Sequence, residues 1–209
     1  MSTGRLAVLA HEVRSPVAAL VAIAEAYPRA DAARRRRLLE LAHAAVAGLE
    51  RLLADAAADS LRFERLDVGR LVRDAAETAA LGGATVVTET DDGLAVDGDP
   101  DRLRQALANL VANAVGHSPA GGTVTLAARR DGRSVVIEVH DEGDGLAPDD
   151  LERVFEPGVR LTDARPGSGL GLAVVRTIAR GHGGEADVES SPGQGATFRL
   201  VLPGASGAG

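Results

Sequence analysis

Cysteine and tryptophan are missing from this 209-residue chain, and so is lysine, since all 23 basic residues are arginine. Without cysteine there is no disulfide, no thiolate nucleophile and no cysteine-based zinc site. Aromatic residues make up 2% of the chain, so any core must be built from Leu, Val, Ile and Ala. The arginine-only usage, beside so much Ala and Gly, points to coding bias more than to a functional choice. A net charge of −7 leaves little basic surface to neutralise a phosphate backbone, and nucleic acid is not expected as a partner. The basic run Arg34–Arg37 is short and suits a solvated helix face. No apolar run approaches the roughly 20 residues that span a bilayer, and no signal peptide opens the chain, so a cytoplasmic protein without a membrane span is expected.

What is present falls into two segments. In residues 1–62 the apolar positions Leu6, Leu9, Val13, Val17, Leu20, Ala24 and Tyr27 recur at helical spacing. A second series, Leu38, Leu41, Ala45, Leu49, Leu52 and Ala56, follows a break at Tyr27–Ala30, with Asp31 placed to cap the second helix. This pattern predicts an antiparallel helical hairpin. A hairpin of Leu and Ala cannot bury its stripe alone, and a two-fold homodimer forming a four-helix bundle is the simplest solution. Docking onto the rest of the chain is the alternative.

Residues 63–203 mix helix and strand. Helices are predicted over Val68–Ala80, Asp101–Val115 and Gly169–Arg180, the second opened by Asp99 as N-cap and Pro100. Strands are predicted over Ala84–Thr90, Thr123–Ala128, Ser134–His140, Glu185–Glu189 and Ala196–Val201. The expected fold class is α+β: the helical hairpin followed by an α/β sandwich with helices on one sheet face. Residues 204–209 are expected to be a disordered tail.

Several residues stand out chemically. His11 lies opposite the apolar stripe of its helix, with Glu12 adjacent and Ser15 one turn on. Pro16, inside the same helix, cannot donate to the Glu12 carbonyl and crowds it, which places a bend beside His11. A surface histidine is the plain alternative. Asn109 and Asn113 share one flank of a helix, where Asn is mildly unfavourable. Hydrogen bonding within the core would account for them equally well. Asp141-Glu142-Gly143-Asp144-Gly145 follows a strand, and Gly167-Ser168-Gly169-Leu170-Gly171-Leu172 opens a helix, a setting that suits phosphate. This second run is not a Walker A loop, which needs a lysine. Taken singly, the two are an acidic turn and a plain glycine-rich loop.

Leu9–Pro16 resembles the H-box of sensor histidine kinases, usually H-E-x-[RK]-[TN]-P. The remaining pieces follow in that family's order: Asn109–Ala114 is similar to the N-box, Asp141–Gly145 to the first glycine box, Val154-Phe155-Glu156-Pro157 to the F-box and Gly167–Leu172 to the second glycine box. The resemblance implies an ATP-binding domain of the GHKL histidine kinase type and autophosphorylation of His11. Phosphotransfer would follow, to an aspartate of a response-regulator receiver domain.

By the same likeness Glu12 orients the His11 ring and accepts its proton, and Ser15 stands where Thr or Asn assists phosphatase chemistry. Asn113 would hold Mg²⁺, and Asn109 its second shell or the phosphates. Asp141 would accept the adenine amino group, with Gly143 and Gly145 letting the backbone approach the base. Phe155 would anchor a mobile lid over ATP, and Gly167, Gly169, Leu170 and Gly171 would complete the site. Related ATPases carry a Glu near Asn109, and its absence suits transfer to histidine over hydrolysis.

Three positions depart from the family pattern. Ser15 is one. Gly116 stands in place of a basic residue, and Gly158 in place of a second F-box aromatic. Arg160 or Arg165 is the candidate replacement for the lost cation. His43, His117, His140 and His182 are expected to be structural or surface residues. Input is expected from a separate sensor protein, or the chain is a piece of a longer one. A non-catalytic dimeric adaptor and a chaperone-type ATPase are the alternative functions.

Overall fold

The computed structural model describes residues 3–39, 41–42, 45–46, 49, 61–161 and 169–205; for residues 3–12 and 15 the description is of the helical backbone alone. The chain divides into two compact units, Met1–Ser60 and Leu61–Gly209.

In the first unit α1 runs over Thr3–Ala26 without interruption at Pro16. A 3₁₀ turn, Tyr27–Arg29, ends it where the sequence breaks, with Pro28 in the first positions of the turn. Residues 32–39 are helical again (α2). The Asp31 side chain accepts from the Arg34 amide at 2.8 Å, the bond expected of an N-cap. Val17, Val21, Tyr27, Leu39 and Leu41 are exposed in the single chain.

The second unit is built on a five-stranded sheet in the order β2-β4-β5-β7-β6. Its strands are β2 (Thr85–Thr90), β4 (Thr123–Asp131), β5 (Ser134–Asp141), β6 (Glu185–Ser190) and β7 (Ala196–Pro203). β2 and β4 pair in parallel; every other pair in this sheet is antiparallel. A separate two-stranded ribbon joins β1 (Glu64–Asp67) to β3 (Ala95–Gly98). The sequence pattern did not announce this ribbon.

Helices α3 (Val68–Leu81), α4 (Pro100–His117) and α5 (Gly171–Gly181) pack α3 on α4 and α4 on α5, against the sheet. Period-two alternation sends Val124, Leu126 and Ala128 of β4, Val135, Ile137 and Val139 of β5, and Phe198, Leu200 and Leu202 of β7 into the core. Leu103, Leu107 and Leu110 of α4 meet them, each fully buried. The opposite sheet face is polar, with Arg199 paired to Asp187 and Glu189, and Arg129 to Glu138.

Two expectations need correcting here. Gly169 and Leu170 precede α5, because Gly169 sits at φ +71°, outside helical geometry. Gly204 and Ala205, assigned to the tail, are tied down: Gly204 donates to the Arg133 carbonyl and Ala205 to the Ala95 carbonyl, each at 2.8 Å. Residues 206–209 lie outside the described residues. Among the described residues no helix is long and apolar enough to cross a membrane.

Candidate nucleotide site

α4 is the first wall. Asp99 caps it by accepting from the Asp101 and Arg102 amides at 3.1 Å each, and Pro100 starts it without wasting an N–H. Asn109 and Asn113 lie one turn apart, half-buried beside the fully buried stripe. The Asn109 side-chain amide donates to the Gly171 carbonyl at 3.2 Å, which ties α4 to the first residue of α5. That amide nitrogen is therefore spent on protein, while the Asn109 side-chain oxygen is left over. The Asn113 side chain makes no hydrogen bond among the described residues, so its neutral oxygen remains available to a ligand.

The second wall is the end of β5. Asp141 is 2% exposed, and one of its oxygens accepts from the Gly143 amide at 2.9 Å. Burial pushes its carboxyl pKa up; the Gly143 amide, the nearby His117, the Ala196 amide and His140 pull the other way without cancelling the effect. A buried carboxylate has about four lone-pair sites, and an exocyclic amino group can supply a further donor to it.

The glycines beside Asp141 are dictated by close approach. A Cβ on Gly143 would lie 2.7 Å from the His117 carbonyl oxygen. Gly145 adopts φ +70°, and a Cβ there would run into the Ser191 carbonyl. At Gly145 the reason is the β6–β7 turn, whose Gly193 amide donates to the Asp144 carbonyl at 2.7 Å and whose Gly195 amide donates to the Gly143 carbonyl at 3.0 Å. Ser190 adds a third tie, its Oγ accepting from the Leu146 amide at 2.9 Å and donating to the Gly195 carbonyl at 2.6 Å. Sequence reasoning missed this turn as part of the site, although Gly193-Gln194-Gly195 was the signal that could have shown it.

Phe155 is buried at 3% exposure within a 3₁₀ turn, Arg153–Phe155, and meets Phe198 of β7 edge-on at 6.2 Å. Arg176 of α5 lies over its other side, 4.2 Å from the ring centroid. Leu170 is buried ahead of α5, its carbonyl accepting from the Val174 amide at 3.0 Å. Gly158 sits at φ +80° and donates its amide to the Gly169 carbonyl at 3.0 Å. The glycine that replaces an aromatic thus has a backbone duty of its own.

Gly167 and Ser168 lie outside the described residues, as do Arg165 and the remainder of 162–168. His11, Glu12 and Ser15 lie on α1, where only the backbone is described, so the expected outward setting of the His11 ring falls outside the description. His43 is also outside it. The structure brings Asn109, Gly171 and α5 together, and separately Asp141, Gly143, Gly145 and the β6–β7 turn. His182, expected to be an ordinary structural or surface residue, is 6% exposed and bonded through both ring nitrogens.

No group of three or more His, Asp or Glu side chains that could hold a metal occurs among the described residues. A cation here would draw its ligands from neutral amides, phosphate and water, and the unspent Asn113 oxygen fits Mg²⁺ on those terms.

Residues 98–206 match the family described as histidine kinase-, DNA gyrase B-, and HSP90-like ATPase. The sensor-like histidine kinase SenX3 of Mycobacterium tuberculosis is 38% identical over 215 residues, covering 93% of this chain and 52% of that protein. The chain thus spans about half the length of the curated relatives it matches. Among solved structures, the ATP-binding domain of PrrB from Mycobacterium tuberculosis aligns with a TM-score of 0.57 at 35% identity, covering 69% of this chain and 98% of that one. Full-length ShkA in complex with AMPPNP aligns at a TM-score of 0.68 and 30% identity, over 100% of this chain and 47% of its own.

Proposed function

Because the chain belongs to the histidine kinase-, DNA gyrase B-, and HSP90-like ATPase family, we propose that it binds ATP between α4, the end of β5 and the start of α5, and transfers the γ-phosphoryl group to His11. The phosphoryl group then passes to an aspartate of a response-regulator receiver domain. The observation that carries the reading is Asp141, a buried carboxylate at the end of β5 that accepts from the Gly143 amide and has lone pairs left to accept from the adenine amino group.

Asn109 braces the two helices that flank the phosphates, and Asn113 holds the cation. Bound there, Mg²⁺ would neutralise charge on the phosphates. Gly169 and Gly171 let the chain approach the phosphates, and the free N–H groups of the first turn of α5 face negative charge well. His11 attacks through a neutral ring nitrogen, and Glu12 takes the proton from the other. The first unit works as a homodimeric four-helix bundle in the cytoplasm, a reading supported by the exposed Val17, Val21 and Leu41 of an otherwise helical segment. A non-catalytic adaptor is not favoured, since Gly158 is accounted for by its backbone role.

Incubation with γ-labelled ATP tests the reading. It expects an acid-labile, alkali-stable phosphate on the wild-type chain, none on His11→Gln, and transfer from the former to purified receiver domains. Steady phosphate release that persists in His11→Gln would instead mark a plain ATPase.

A further inference from the structure

At the end of the sheet remote from Asp141 lies a second cluster of bonds. His182 follows α5, and the Asp99 backbone amide donates to its Nε2 at 2.9 Å. An amide can only donate, so Nε2 carries no proton; the proton sits on Nδ1, which donates to the Ile178 carbonyl at 2.8 Å. One ring thereby bridges the start of α4 and the end of α5. Gly98 makes room for it, because a Cβ there would fall 2.8 Å from both the ring Cδ2 and Leu103.

Asp99 faces the other way as well. One carboxylate oxygen caps α4, while the other accepts from the Arg62 amide at 2.9 Å. That amide is the foremost cause of the lowered Asp99 pKa. Phe63 then lays its ring 5.1 Å from that of His182, and the Leu61 side chain reaches the Gly181 position. Leu61–Phe63 are the first residues of the second unit, through which the chain arrives from the unit that carries His11.

We propose that Asp99 and His182 are positioning residues for phosphoryl transfer: they clasp the chain at Arg62–Phe63, where it enters the second unit, to the start of α4 and the end of α5, so that this entry point is fixed relative to the two helices of the nucleotide site. The proposal rests on the kinase reading above. The clasp lies at the opposite end of β5 and β7 from Asp141. Its effect is on the geometry of transfer, where small misplacements cost rate more than affinity.

Asp99→Asn is the selective probe. The Asn oxygen caps a helix as well as Asp does, but the remaining NH₂ cannot accept from the Arg62 amide. His182→Phe removes both ring bonds at similar volume, and His182→Gln restores an acceptor for the Asp99 amide. Three quantities are measured on the full chain: hydrogen exchange at the Arg62 amide, equilibrium affinity for a labelled ATP analogue, and the rate of phosphohistidine formation at saturating ATP.

Asp99→Asn is expected to speed Arg62 exchange and to lower the transfer rate by roughly tenfold or more, with nucleotide affinity unchanged. His182→Phe should do the same, and His182→Gln should recover part of the rate. Unchanged Arg62 exchange, or faster exchange with an unchanged rate, overturns the proposal. So does a parallel fall in melting temperature, affinity and rate, which marks a merely structural bond. If the wild-type chain binds the analogue but forms no phosphohistidine, the kinase reading fails and takes the positioning role with it, while the exchange data still report whether the clasp exists.

Discussion

Asn109 reaches across the groove between α4 and α5 and gives its side-chain amide to the Gly171 carbonyl at 3.2 Å. The bond sets the spacing of the two helices that would flank the phosphates. Asn109→Ala should cost about 1 kcal/mol of that brace, and close to fivefold in ATP affinity if binding needs the spacing. Asn109→Asp sets an oxygen against the carbonyl oxygen and should lose more. Calorimetric titration with an ATP analogue separates the two, and equal affinity for Asn109→Asp and wild type would show the brace to be idle.

Asp141 gives a prediction with a sign. Burial raises its pKa above the ordinary 3.8, so the ionised form is a burden on the folded state. That burden is fully present above the folded pKa and fades as the pH falls through it, so in this respect stability declines as pH rises. Asp141→Asn removes the burden, and its melting temperature at pH 7 should lie above that of wild type. Binding should suffer, because an Asn oxygen kept for the Gly143 amide turns its NH₂ toward another amino group. A variant more stable yet unable to bind ATP is the expected pair of results. One that binds normally would remove Asp141 from the adenine site.

The parts legible in the sequence were those with long or doubled signals. α4 declared itself through Asp99-Pro100, and it was found with its cap correct. The β1–β3 ribbon stayed hidden because each strand has four residues, too few for alternation to show, and they pair across the intervening α3 and β2. The parallel β2–β4 pairing is a matter of topology that no local pattern encodes. In the site, Gly143 and Gly145 were expected to let the backbone approach the base; what the structure shows pressing on them is the His117 carbonyl at Gly143 and the β6–β7 turn at Gly145. Long-range backbone contacts of that kind leave only a glycine behind as their trace.

Gly158 bears on whether departures from a family pattern mean decay. Its φ of +80° is left-handed, and among the described residues nothing lies within 4 Å of where a Cβ would stand. Space is available there, whereas backbone freedom is not. Gly158→Phe, which restores the family's aromatic, should therefore destabilise by about 1–2 kcal/mol, and Gly158→Ala by a similar amount. Thermal denaturation checks this. A stabilised Gly158→Phe would mean that the backbone relaxes and the glycine is dispensable.

Arg176 makes two contacts of unequal worth. Its ion pair with Glu152, at 2.9 Å, involves a carboxylate side chain that is 86% exposed, and screening leaves little energy in it. Its stack on Phe155 is against a buried ring and should contribute about 1 kcal/mol. Glu152→Gln is accordingly expected to leave stability near that of wild type, and Arg176→Met to lower it. A double-mutant cycle between Arg176 and Phe155 (to Met and Leu) measures the coupling, and a value indistinguishable from zero would refute the ranking.

Asp99 has the opposite sign to Asp141. The Arg62 amide first, then those of Arg102 and Asp101, hold its carboxyl below the ordinary 3.8 against the opposing pull of burial. A depressed folded pKa contributes stability above the unfolded value and loses it as the pH falls through the folded one. Acid unfolding below about pH 4 should therefore include a proton taken up at Asp99. Asp99→Asn keeps the cap but has no charge to lose, so its stability should vary less with pH in that range than that of wild type. Asp99→Ala should be less stable at every pH, by about 1 kcal/mol for the missing cap. Denaturant titrations of the three proteins between pH 3 and 7 give the comparison, and parallel curves for wild type and Asp99→Asn would show that the Asp99 charge is not linked to folding.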